Sequence, residues 1–70
     1  MEIKWQDGFT IKVNVENENQ VVISANKAGL LSLATQLKDL ADEDKGCHIH
    51  YDEYNSLEEG SSELIIEKIG

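Results

Sequence analysis

The stretch Asn26-Lys27-Ala28-Gly29-Leu30-Leu31-Ser32-Leu33-Ala34-Thr35-Gln36-Leu37-Lys38-Asp39-Leu40-Ala41 decides the fold. Leu30, Leu33, Ala34, Leu37, Leu40 and Ala41 recur at three- and four-residue spacing, which draws one apolar stripe along a helix. Lys27, Gln36, Lys38 and Asp39 lie off that stripe. Asn26 offers a side-chain oxygen to an otherwise unpaired N–H of the first turn. Gly29 weakens the helix by about 1 kcal/mol against alanine. The acids Asp42-Glu43-Asp44 sit unfavourably at a negative helix end, so the helix is predicted over residues 26–41. At about 1.5 Å per residue it is a rod of about 24 Å. A seven-residue strand has nearly that length, so one helix covers one face of a sheet.

On both sides of the helix the apolar period falls to two. Met1, Ile3 and Trp5 alternate with Glu2, Lys4 and Gln6, which predicts a strand over 1–6. Asp7-Gly8 supplies a two-residue hairpin turn. Phe9, Ile11, Val13 and Val15 then alternate with Thr10, Lys12, Asn14 and Glu16, and Asn17-Glu18-Asn19 reads as a second turn before a strand over 20–24. After the breaker Lys45-Gly46, Cys47, Ile49 and Tyr51 alternate with His48, His50 and Asp52. Residues 53–61 read as a long acidic hairpin loop with Tyr54 and Leu57 tucked back against the sheet. The last strand covers 63–69. The expectation is a single α+β domain over 1–70: a five-stranded, mainly antiparallel sheet with one helix on one face, in the order β-β-β-α-β-β. A right-handed crossover favours the strand order 3-2-1-5-4. Its core would hold Ile3, Trp5, Phe9, Ile11, Val13, Ile23, Cys47, Ile49 and Leu64.

Seventy residues with 40% apolar and 29% charged side chains suit one small core and no deep cleft. Fourteen acids against six basic residues, all of them lysine, give a net charge of -8. That balance disfavours nucleic acid and anionic membrane and favours a basic protein partner. The absent arginine removes the usual bidentate clamp for phosphate. No apolar run has the length of a membrane span, and no basic-then-apolar leader opens the sequence, so a cytoplasmic protein is expected. The one cysteine permits no internal disulfide, which fits a reducing compartment.

The open sheet face is expected to show His48 and His50, with Ile65 as an apolar spot between Glu63 and Glu67. Two imidazoles at i and i+2 stand about 7 Å apart on a strand. With Glu63 or Glu67 they form a candidate metal- or ligand-binding set, and equally an ordinary cross-strand pairing. Cys47 and His48 point to opposite faces, so they make no catalytic pair, and Cys47 reads as a small core residue. Asp52, Glu53, Asn55, Glu58 and Glu59 lack the spacing of a calcium loop. No phosphate loop, dinucleotide fingerprint or serine elbow is present, so neither enzyme activity nor a cofactor is expected.

Two further stretches join residues 26–41: the His48-Ile49-His50-Tyr51 strand, and Leu57-Glu58-Glu59-Gly60-Ser61-Ser62-Glu63-Leu64-Ile65-Ile66. Across residues 26–69 this sequence resembles the immunity protein 32 family of small bacterial immunity proteins. The resemblance implies that the protein binds and neutralises a bacterial toxin stoichiometrically, with no catalytic residues. The residues expected to meet such a partner are Glu58, Glu59, Tyr54, Leu57, Ile65, His48 and His50. A structural domain that forms a homodimer through an edge strand or the open face is the other alternative beside the metal- or ligand-binding one.

Overall fold

Asn26 caps the helix, as its side chain suggests, and does more than cap. In the computed structural model, which describes residues 1–70, its Oδ1 accepts from Gly29 N–H at 2.8 Å and from Thr10 N–H at 3.0 Å. Its Nδ2 donates to Gly8 O at 2.8 Å. One side chain thus starts helix α1 (Lys27–Ala41) and ties it to the segment before the first hairpin.

The chain runs β1 (Ile11–Asn17), β2 (Gln20–Ala25), α1, β3 (His48–Tyr51) and β4 (Leu64–Glu67). The architecture is α+β with one helix, but the expected five-stranded sheet is not there. The four strands form two separate two-stranded sheets, β1-β2 and β3-β4, both antiparallel. Two physical reasons account for the difference. First, residues 1–6 form no strand, because their backbone is held by helix side chains. Ser32 Oγ accepts from Gln6 N–H at 2.8 Å, and Gln36 Nε2 donates to Lys4 O at 2.8 Å. This segment is a strap against α1. Second, the outer edge of β1 meets a loop, not a strand. Ile11 O accepts from Glu58 N–H and Val13 O from Ser62 N–H, at 2.9 and 2.8 Å. Val13 N–H goes to the Ser61 hydroxyl at 3.1 Å, where a sheet would supply a carbonyl. The loop satisfies the edge without continuing the ladder.

The helix presents an unexpected face. Gly29, Ser32, Gln36 and Leu40 are its buried residues, while Leu30, Leu31 and Leu37 are exposed. Of the leucine stripe, Leu40 and Leu33 meet the core, while Leu30 and Leu37 are turned away from the line of contact. Gly29 allows this, since a Cβ there would stand 2.5 Å from Thr10 O, so the helix approaches β1 and β2 at backbone distance. Gln36 is buried because it is satisfied: Tyr51 Oη donates to its Oε1 at 2.7 Å while its amide holds Lys4 O.

The core consists of Ile11, Val13, Leu40, Ile49, Tyr51 and Leu57. Trp5, Phe9, Leu33, Cys47, Leu64 and Ile66 pack against it half-buried. Of the expected core, Ile3 and Ile23 are exposed instead. Trp5 stacks on Phe9 with ring centroids 4.3 Å apart and meets the Tyr51 ring edge-on at 6.2 Å. No helix is long and apolar enough to cross a membrane.

Candidate functional site: the acidic loop and outer face of the second hairpin

The β3-β4 register pairs His48 with Glu67, Ile49 with Ile66, His50 with Ile65 and Tyr51 with Leu64. Facing residues in an antiparallel pair share a side of the sheet. Ile49, Tyr51, Leu64 and Ile66 therefore turn toward the core, and His48, His50, Ile65 and Glu67 turn outward. All four outward residues are exposed. His50 Nε2 stands 3.5 Å from Glu63 Oε2 and 3.9 Å from Asp52 Oδ2, at the surface. No three His, Cys, Asp or Glu side chains converge on this surface as a metal ion would need.

The loop from Asp52 to Ser62 is built, not slack. Asp52 Oδ1 accepts from Tyr54 N–H and Asn55 N–H, both at 2.9 Å, which is a side-chain mimic of a backbone turn. Asn55 Nδ2 donates to His50 O at 2.8 Å. Leu57 N–H donates to Asp52 O at 2.8 Å, and the Leu57 side chain plugs into the core at 5% exposure. Gly60, at φ +87°, turns its N–H onto Glu53 Oε2 at 2.6 Å. Lys12 Nζ donates to Glu59 O at 2.7 Å.

This pinning sets what the loop shows. Tyr54 stands 96% exposed at the tip, against the expectation that it would tuck back. Glu58 and Glu59 are exposed beside it. Leu57 does tuck back and is spent on the core, so it offers a partner nothing. The remaining expected residues, His48, His50 and Ile65, lie on the adjoining outer face. Residues 52–67 hold six of the fourteen acids and no lysine. The loop's anchoring by Ser61, Asn55 and Asp52 went unread in the sequence; the short polar residues at 55, 56, 61 and 62 were its signal.

Two recesses accompany this surface. One of about 140 Å³ is lined by Ile3, Trp5, Ile49, His50 and Asn55. The other, of about 280 Å³, lies between the strap and the helix C-terminus, against Glu2, Asp39, Asp42 and Glu43. Both fall short of the ~300 Å³ from which small-molecule sites usually start. Desolvation by burial pushes the phenol of Tyr51 up from 10.0. It serves the core through Gln36 and does not reach the outer face.

The molecule is thus a small acidic α+β protein. The model of one family, immunity protein 32, matches residues 20–69, and the chain belongs to that family. No curated protein and no solved structure matches it.

Proposed function

We propose that this protein neutralises a bacterial toxin by stoichiometric binding, without turnover, inside the cell that makes it. Its membership in the immunity protein 32 family carries this reading. The acidic loop and the outer face of β3-β4 are the proposed contact, and a basic toxin domain is the proposed partner. Six acids without a compensating lysine in residues 52–67 draw a basic surface in and speed the encounter. Tyr54 and Ile65 supply exposed apolar area to hold the complex, and aromatic anchors of this kind carry much of an interface's energy. Because the loop is already fixed by hydrogen bonds, little ordering cost attaches to binding.

The test is binding kinetics at low and high salt against a toxin domain encoded beside this gene, where one is found. Glu58→Gln with Glu59→Gln should slow association and flatten its salt dependence, while Tyr54→Ala should speed dissociation. An association rate indifferent to ionic strength would remove the electrostatic part of the reading. Co-expression that fails to rescue growth from the toxin would remove the immunity part.

A further inference from the structure

A second surface lies away from the acidic loop and differs from it in chemistry. Residues 19–38 contain no aspartate or glutamate; their only charges are Lys27 and Lys38. All fourteen acids lie outside this stretch, which forms β2 and nearly all of α1. It also carries the exposed apolar side chains Val21, Ile23, Leu30 and Leu37, with Val15 beside them on β1. Ile23 faces Val13 and Val21 faces Val15 across the hairpin, so these side chains share the sheet face on which α1 lies. On the helix, Ser32 and Gln36 turn toward the strap and Tyr51. At 100° per residue, Leu30 and Leu37 turn to the other side of the helix, where both are exposed.

The backbone beneath this patch is open. Asn26 N–H donates to Thr10 O, and bonded pairs recur at every second residue of an antiparallel ladder. Lys12 with Ser24 and Asn14 with Val22 therefore exchange the ladder bonds. Val21, Ile23 and Ala25 point their N–H and C=O groups outward. The corresponding edge of β1 is closed by Glu58, Ser61 and Ser62, whereas no hydrogen bond from elsewhere in the chain closes this one. It also lacks the usual protections: there is no proline in the chain and no charged residue in β2.

We infer that this face pairs with a second copy of the chain, β2 against β2 in antiparallel register about Ile23. Such pairing is self-complementary, as a two-fold interface must be. Ile23 faces Ile23 of the second copy, and Val21 faces Ala25, each pair exchanging two backbone bonds. The register also brings Asn19 of one copy opposite Lys27 of the other. The hairpin-tip acids Glu16 and Glu18 thereby meet the one cation at the start of the helix. Leu30 and Leu37 of the two helices close over the joined sheet. A basic partner would find no acid on this face to attract it, so the second copy fits better than the toxin does.

Sedimentation equilibrium of the full chain tests this at low and high salt. The expected mass is twice 7.8 kDa. Raising salt should strengthen the dimer, because it screens two copies that each carry -8. That is opposite to its effect on an acid-driven encounter. Val21→Pro removes only an outward N–H, and Leu37→Lys puts a charge on the flank; each should weaken the dimer at least tenfold while far-UV circular dichroism stays unchanged. Should Val21→Pro unfold the hairpin, Leu37→Lys decides alone. Glu58→Gln with Glu59→Gln should leave the mass unaltered. A monomer at every concentration in high salt, or a dimer that persists in Leu37→Lys, overturns the inference. A monomeric Leu37→Lys chain that still neutralises toxin separates this surface from the proposed toxin contact.

Discussion

Gly29→Ala is expected to destabilise this protein, although the same change at an ordinary helix position stabilises by about 1 kcal/mol. The added methyl would lie 2.5 Å from Thr10 O, 3.0 Å from Ile11 Cγ1 and 3.1 Å from Ala25 Cβ. The nearest atom is backbone, and it is held. Thr10 O accepts from Asn26 N–H at 3.2 Å, and Asn26 Oδ1 grips both Thr10 N–H and Gly29 N–H. No side chain can swing aside, so the first turn of α1 must lift from the hairpin. Overpacking of this kind costs about 1–3 kcal/mol. Set against the helix-propensity gain of about 1 kcal/mol, the net loss is up to about 2 kcal/mol. In a domain of this size that lowers Tm by up to roughly 15 °C. The assay is urea and thermal unfolding followed by far-UV circular dichroism. Ala34→Gly, on the exposed flank, serves as the control and should lose about 1 kcal/mol through propensity alone. A Gly29→Ala midpoint at or above that of the parent chain would refute the close approach of helix to hairpin.

Two other outcomes concern the buried polar link between helix and second hairpin. Gln36→Leu leaves Tyr51 Oη and Lys4 O without partners, at a cost of about 2 kcal/mol or more, whereas Gln36→Leu with Tyr51→Phe should recover part of it. A double-mutant cycle in urea reads that coupling, and strictly additive losses would count against it. Because burial raises the Tyr51 pKa above its unfolded value, its contribution is full below about pH 10. It falls as pH rises through the folded pKa, since the unfolded phenol gives up its proton first; Tyr51→Phe should flatten the alkaline arm of a stability–pH curve.

The three periodicities that mark the helix and the two hairpins were legible because each reports which side of an element is apolar. Pairing β1 with β2 and β3 with β4 followed from turn residues and chain order. Alternation says nothing of what fills the ladder, however. Met1 to Gln6 alternates as a strand does, yet Ser32 and Gln36 take its backbone bonds. The helix misled for a related reason. A stripe of leucines marks an apolar face, but Gly29, Ser32 and Gln36 permit closer contact and pair with the strap, so they won the interior. In the candidate site, period two placed His48, His50 and Ile65 outward. Nothing in sequence distinguished Tyr54 from Leu57, three residues apart in one loop. The Asp52 turn separates them, sending one to solvent and the other into the core.

Strand β1 lies outside residues 20–69, which the family model matches, yet it supplies Ile11 and Val13, two of the least exposed side chains. A piece beginning at Gln20 would leave α1 without its floor, and Leu57 and Tyr51 facing an unfilled slot. The hairpin tip between Asn17 and Gln20 is exposed and irregular in register, the kind of place where a chain tolerates a break. Severed there, the protein becomes a matched pair of fragments: a short one that is itself the missing wall, and a long one that coheres only when the wall is returned. That makes the molecule a natural starting point for a split reporter, in which reassembly of the two halves signals the proximity of whatever they are fused to.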